Sequence, residues 1–168
     1  MRFDKFTLKV QEALQEAQTM ANTYGHQAIE VEHLLAALLV QPEGITGDIL
    51  KKMGVDPKSI EDEIKTSLGK LPKVKGSGTG QTYITPRINK LLDNALVEAA
   101  RLKDEYVSAE HILLVIVEEE EGMAGKILRG KGITKDNIFK VLVEIRGSQR
   151  VTDPNPEEKY QALKRYAR

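Results

Sequence analysis

Residues 109–117 read AEHILLVIV, and residues 31–39 read VEHLLAALL. The two stretches lie 78 positions apart, and each has a Glu-His pair followed by an almost unbroken aliphatic run. A run that is apolar nearly all round fits a buried helix or a buried strand, and Val-Ile-Val in the later copy favours a strand by propensity. The earlier copy is rich in Ala and Leu, which favours a helix, and equivalent segments should share one structure. We therefore predict that both stretches are buried helices.

The similarity between the two halves extends well beyond these nine residues. With the offset held at 78, matching residues recur without a gap from Thr7 and Thr85 to Gly69 and Gly147. Between these limits the identical pairs include Leu14 and Leu92, Ala17 and Ala95, Ala21 and Ala99, Gly47 and Gly125, Leu50 and Leu128, and Ile60 and Ile138. Two units this short would each bury little surface alone. We expect them to pack as a pseudo-two-fold pair around one core, with a seam between the halves.

Each unit has the sequence pattern of four helices. Apolar residues within 10–21 and 88–99 recur at helical spacing, and Thr85-Pro86 is a typical N-cap followed by proline at the first helical position. The last helix of each unit is predicted to begin at Asp56-Pro57 or Thr134 and to end at a glycine. The sequence therefore predicts an all-α fold of about eight helices.

Changes in composition divide the chain. We predict one domain over residues 1–147, made of a first repeat at 3–69, a linker at 70–83 and a second repeat at 84–147. The linker contains KGSGTGQ at 75–81, a composition typical of flexible segments. Residues 148–168 are expected to form a connector towards another module, and they contain a helix start at Asn155-Pro156-Glu157-Glu158.

Composition excludes several functional classes. The 168 residues carry 25 basic and 25 acidic side chains, so no overall basic excess points to nucleic acid. There is no cysteine, which excludes disulfides and thiolate metal sites. No secretory signal and no apolar run long enough for a membrane span is present. We expect a cytoplasmic protein that contacts neither nucleic acid nor membrane.

The motifs of common enzyme and metal sites are missing. Neither the P-loop pattern nor the zincin pattern HExxH occurs. His33 and His111 occupy equivalent positions in different halves, so we interpret each as a structural histidine that bonds the backbone at a helix start. Ser108 lies near His111, but neighbours three residues apart seldom have triad geometry, and no GxSxG motif is present. Glu118–Glu121 fit a solvated helix end, with partner binding as the alternative. We predict no catalytic site, no metal and no cofactor.

The duplicated pattern of alanines, EHLL-type runs and glycines resembles the N-terminal (Clp N) domain of the Clp ATPases, over residues 1–147. Three stretches are similar to the disaggregase branch of that family: MRFDKFT at 1–7, LPKVKGSG at 71–78 and GSQRVTDPNPEEKYQALKRYAR at 147–168. The last of these is similar to the segment that leads into the first ATPase module.

This resemblance implies a substrate-recognition domain of an ATP-dependent protein disaggregase. Such a domain binds unfolded or aggregated polypeptide and passes it to a homohexameric ATPase ring that works with the DnaK system. ATP and magnesium would bind in ATPase modules outside this chain. The chain itself is expected to be a monomer without cofactor or catalysis.

The resemblance also implies particular binding residues. The family's functional positions fall on Thr7, Asp104 and Glu110, so we expect polypeptide to bind between the first helix and the helix of 109–117. Taken without the resemblance, Thr7 fits an N-cap, Asp104 a solvated loop acid and Glu110 a partner of the helix dipole. Some apolar groove positions of the family fall on residues that are polar here, namely Asn94, Glu98 and His111.

The sequence is also compatible with three other functions. An adaptor-docking domain, as in the degradative Clp relatives, would bind a folded partner at one defined surface. An enzyme with an unrecognised site would show turnover against hydrolase substrates. A helical scaffold would bind nothing.

Overall fold

The computed structural model describes residues 3–42, 44–73, 82–147, 150–152, 154 and 156. In the first half the helices are α1 (Leu8–Tyr24), α2 (Val31–Val40), α3 (Ile45–Lys52) and α4 (Pro57–Gly69). In the second half they are α5 (Pro86–Arg101), α6 (Ala109–Glu118), α7 (Ala124–Gly130) and α8 (Lys135–Arg146). The predicted all-α fold with four helices per unit is confirmed. The sequence did not indicate two short strands, β1 (Ala28–Ile29) and β2 (Tyr83–Ile84), which pair in parallel.

The helices begin and end where the sequence chemistry predicts. Thr7 and Thr85 are the N-caps of α1 and α5, and each hydroxyl accepts a hydrogen bond from the backbone N–H three residues later. Gly54 and Gly132 follow α3 and α7 with φ of 77° and 81°, in the left-handed region that glycine tolerates best. These equivalent conformations extend the duplication from the sequence to the backbone.

The two EH-type helices form the centre of the domain. Helix α2 packs against α1, α3 and α4 of its own half, and α6 packs against α5, α7 and α8. The two central helices also contact each other. Most of their residues are buried, which explains why both are apolar nearly all round.

The two halves exchange their first residues, in the sense that the segment before the first helix of each half pairs with a segment of the other half. Phe6, just before α1, forms a parallel bridge with Val107, just before α6. At the equivalent place in the other half, Ile84 pairs with Ile29. The backbone N–H of Thr7 donates to the Val107 carbonyl at 3.0 Å, and that of Thr85 donates to the Ile29 carbonyl at 3.4 Å. Each half therefore completes its structure with a segment of the other.

Two predictions fall outside the described residues. They are the flexibility of residues 75–81 and the helix predicted to start at Asn155-Pro156, of which only Pro156 is described. Of the predicted linker at 70–83, the structure describes 70–73 and 82–83, and Tyr83 belongs to β2.

Replacing Phe6 by Ala tests the exchange. Phe6 is 1% exposed, so we expect the free energy of unfolding to fall by about 3–5 kcal/mol. Leu8 is 47% exposed, and Leu8→Ala should change it by roughly 0.5 kcal/mol or less. Urea denaturation of both variants measures the difference. Equal losses would show that the exchanged segment does not hold the halves together.

Candidate functional site

The structure brings the starts of α1 and α6 together, as the seam prediction required. Thr7 at the start of α1 lies against Val107 through their backbone hydrogen bond. The Thr7 side chain is fully buried, and its hydroxyl accepts the Val10 N–H at 3.3 Å. The N-cap interpretation of Thr7 is therefore confirmed. Its predicted role in binding polypeptide stays a prediction, and with this burial it would be one of positioning.

Asp104 is the centre of a buried polar cluster beside the same seam. Its Oδ2 accepts a hydrogen bond from Nε2 of His111 at 2.7 Å. Its Oδ1 accepts from Nη2 of Arg146 at 2.6 Å and from the Val151 backbone N–H at 2.8 Å. Burial acts to raise the pKa of Asp104, but these three donors together lower that pKa to about 2. The interpretation of Asp104 as a solvated loop acid is wrong, because its side chain has no exposed surface.

His111 fixes the start of α6. Its Nδ1 accepts the Ser108 backbone N–H at 2.9 Å, so the proton on Nε2 is directed at Asp104. The structural interpretation of this histidine is confirmed.

Glu110 is completely buried next to the cluster. One carboxylate oxygen lies 3.4 Å from Nη1 of Arg146, which makes an ion pair by distance. The angles do not suit a hydrogen bond, and within the described part of the chain neither oxygen has a hydrogen-bond partner. The equivalent Glu32 differs, because its Oε2 accepts the backbone N–H groups of Met123 and Ala124 at the start of α7.

Glu32 also meets a cation from the other half. Arg87 of α5 donates to both Glu32 oxygens and to both oxygens of Glu119. Burial acts to raise the pKa of Glu32, but the hydrogen bonds from Arg87 and the Ala124 N–H outweigh it and lower that pKa. Glu119 is therefore mostly buried and paired with Arg87. This differs from the sequence-based interpretation of Glu118–Glu121 as a solvated helix end.

Ser108, His111 and Asp104 form an arrangement that looks like a catalytic triad. The Ser108 Oγ lies 3.2 Å from Nδ1 of His111, whose Nε2 meets Asp104. The hydroxyl faces Nδ1 and the carboxylate faces Nε2, the reverse of a serine-protease triad. The arrangement is structural, because Nδ1 already accepts a backbone N–H and all three side chains are buried. A substrate has no access to the hydroxyl.

The first half fills the equivalent positions with different side chains. His26 stands where the second half has Asp104, and its Nδ1 lies 2.9 Å from Nε2 of His33. Leu68 stands where the second half has Arg146, and it is fully buried. One half therefore carries a neutral pair beside an aliphatic residue, whereas the other carries carboxylates beside a guanidinium.

The connector passes through the seam next to Asp104. Glu105 donates its backbone N–H to the Val151 carbonyl at 2.7 Å. Arg150 Nη1 donates to the Leu102 carbonyl at 2.7 Å. Val151 is fully buried. The seam therefore holds a segment of the chain itself.

A second concave feature lies between α5 and the C-terminal end of α6. This cavity of about 350 Å³ is lined by Arg87, Lys90, Leu91, Asn94, Val115 and Glu118–Glu121. Of the three residues Asn94, Glu98 and His111, only Asn94 lines it. Glu98 is buried and paired with Arg101 and Lys135, and His111 lies in the cluster.

The described residues contain no group of three or more His, Asp or Glu side chains arranged to hold a metal ion. Among these same residues, no helix is long and apolar enough to cross a membrane.

The fold and the seam define a duplicated, all-α domain whose halves exchange their first residues. The Clp repeat N-terminal domain model matches residues 5–131. The chain belongs to this family, which confirms the resemblance stated from the sequence.

Several individual proteins are similar to the chain in sequence or in structure. The chaperone protein ClpB of Nitratidesulfovibrio vulgaris is 43% identical over 171 residues, covering 100% of this chain and 20% of the relative. The Hsp104 N-terminal domain of Candida albicans is 23% identical with a TM-score of 0.77, covering 91% of this chain and 99% of that one. A ClpV N-domain in complex with a VipB peptide is 20% identical with a TM-score of 0.69, covering 89% and 92%. The chain spans about a fifth of the length of the curated relatives it matches.

Sequence reasoning missed Arg146, His26 and Val151. A signal for the first two was present, because the offset of 78 places Arg146 opposite Leu68 and Asp104 opposite His26. A charged residue opposite a core leucine indicates a buried partner of opposite charge.

The histidine pair predicts a loss of stability in mild acid. Burial, with the nearby His26, lowers the pKa of His33 from 6.5 to about 4. His33 is therefore protonated below about pH 6.5 in the unfolded chain, but only below about pH 4 in the folded chain. The contribution of His33 to the free energy of unfolding should be fully present above pH 7. It should fall by about 3 kcal/mol as the pH drops from 6.5 to 4.

Urea denaturation between pH 4.5 and 7.5 measures this loss. His33→Gln is the control, because a glutamine at this position can still accept the Glu30 N–H but does not titrate. The slope of stability against pH should be smaller in the variant. Identical slopes in the two proteins would contradict the prediction.

Arg146→Leu tests the buried cluster. The change installs the residue of the first half, but it leaves Asp104 and Glu110 buried without their cation. We expect the free energy of unfolding to fall by about 3–5 kcal/mol. Arg101→Leu removes an arginine whose side chain is 67% exposed, and should cost about 1 kcal/mol or less. Similar losses in both variants would show that the cluster does not depend on Arg146.

Proposed function

We propose that this domain recognises substrates for an ATP-dependent protein disaggregase of the ClpB type. It binds unfolded or aggregated polypeptide and passes it to a homohexameric ATPase ring in the cytoplasm. The domain acts by binding and not by catalysis. ATP and magnesium are used by the ATPase modules, and the DnaK system cooperates with the ring. The identity of 43% to a ClpB chaperone over the whole chain supports this assignment.

The observation that carries the proposal is the binding of the Val151 backbone in the seam. Asp104 and Glu105 hold Val151 through its backbone N–H and carbonyl groups. Every polypeptide carries these groups, whereas folded proteins keep most of theirs paired. A surface that binds backbone in this way is tolerant of sequence and selective for chains that are not folded.

The three predicted residues take different parts in this binding. Asp104 presents a carboxylate oxygen to a backbone N–H. Glu110 lies against Arg146 and so helps to place the guanidinium that fixes Asp104. Thr7 sets the start of α1, which forms the other side of the seam. We propose Asp104 as the contact residue, and Glu110 and Thr7 as positioning residues.

A second candidate is docking of a specific adaptor protein. The similarity to a ClpV N-domain solved with a VipB peptide favours it, because that domain has the same fold and holds a defined partner. An adaptor should saturate one site at a 1:1 ratio with a folded partner. Unfolded chains should bind weakly, and chains unrelated in sequence should compete with one another.

Titration of the isotope-labelled chain with a reduced, carboxymethylated protein tests the proposal. Amide signals of Thr7, Glu105 and Val107 should shift. Those of Lys58 and Asp62, on the exposed face of α4, should not. Shifts confined to surfaces away from the seam would contradict it.

A matched pair of variants sharpens this test. Asp104→Asn keeps the size of the side chain but removes its charge, and should weaken binding by a few-fold to about tenfold. His26→Asn changes the equivalent position of the other half and should leave the affinity unchanged. Amide spectra confirm that each variant is folded before affinities are compared. Equal affinities of the two folded variants would exclude Asp104 as a contact.

A further inference from the structure

The connector is held by more than one kind of contact. Val151 uses both of its backbone polar groups: its N–H donates to the Asp104 carboxylate and its carbonyl accepts the Glu105 N–H, and its side chain is completely buried. On one side Arg150 donates to the Leu102 carbonyl. On the other side the Pro154 carbonyl accepts the Leu8 N–H at 2.8 Å.

These contacts join the connector to both halves. Leu102 and Glu105 belong to the second half, and Leu8 is the first residue of α1. The N–H of Leu8 has no partner within its own helix, because helix formation leaves the first N–H groups unpaired. The connector therefore satisfies a donor that would otherwise face the seam.

Among the described residues, the first half has no comparable occupant. The offset of 78 places Lys73 opposite Val151, and Lys73 is exposed. His26, opposite Asp104, is bonded to His33 instead of to an extended segment. The site is thus a specialised feature of one half and not a by-product of the duplication.

We propose that the seam beside Asp104 and Glu105 is a peptide-binding site that the connector occupies in cis, and that the same site takes client polypeptide when the connector leaves. This inference rests on the proposed function. The site selects an extended segment with a small branched aliphatic residue, Val or Ile, at the position of Val151. A preceding basic residue is favoured, because Arg150 donates to the Leu102 carbonyl.

Competition by the connector has a measurable consequence. A client can bind only the fraction of molecules in which the connector is released, so its apparent affinity is reduced in proportion to that fraction. Loosening the connector should therefore strengthen client binding without any change in the site itself.

Val151→Asp provides the test, because it places a carboxylate in a fully buried position next to Asp104. Val143→Asp is the matched control, since Val143 is 69% exposed on α8. Val151→Gly is the second variant and empties the position without adding charge. The probes are a synthetic peptide with the sequence of residues 149–155 and a reduced, carboxymethylated protein. Each probe is titrated in a calorimeter into the full 168-residue chain and into each variant.

We expect both probes to bind the Val151 variants about tenfold more tightly than they bind wild type or Val143→Asp. The peptide should also displace the unfolded protein. If the peptide binds but the unfolded protein binds all chains equally, clients use another surface; the inference is then overturned and the proposed function stands. If the unfolded protein binds neither wild type nor any variant, the inference and the proposed function are both contradicted. If the peptide fails to bind folded Val151→Gly, the seam does not bind a separate peptide and the inference is overturned.

Discussion

The exchange of first residues between the halves is the constraint on which the rest of the structure depends. Phe6 pairs with Val107 and Ile84 pairs with Ile29, so the start of α1 is fixed by the second half and the start of α5 by the first. This exchange sets α2 and α6 side by side in a shared core. It also creates the seam, because the segment that leads into α6 is held against the start of α1.

The duplication supplies equivalent positions, and differences between the halves supply the chemistry. His26 and Asp104 occupy the same place at the end of a long helix, as do Leu68 and Arg146 at the end of the last helix. In the first half these positions are filled by a histidine pair and an aliphatic side chain, which present no charge to the backbone. In the second half they present a carboxylate, fixed by a guanidinium, to the backbone N–H of Val151.

The sequence predicted the fold because local and long-range signals agreed. N-cap residues, terminal glycines and a 78-residue repeat all indicated the same helices. The strand propensity of α6 was outweighed in the prediction by its repeat partner, which is rich in Ala and Leu. The site was predicted less well. The residues Asp104 and Glu110 were expected at the seam and lie there, but their burial was not foreseen. Burial depends on Arg146 and Val151, which are distant in sequence and have no local pattern that marks them as partners.

The buried charges have an energetic argument of their own. Two carboxylates and one guanidinium are costly to remove from water, and replacing such a group by aliphatic side chains is often neutral or stabilising. The first half shows that this fold accepts the aliphatic solution, because Leu68 is fully buried at the position of Arg146. Stability alone therefore gives no reason to keep the cluster. A charge fixed by Arg146 and His111 keeps Asp104 ionised and oriented, and an ionised carboxylate is a stronger acceptor for a backbone N–H than a neutral group. The cluster is thus best explained by the connector segment that it holds, and the second half carries it because Val151 is bound by that half.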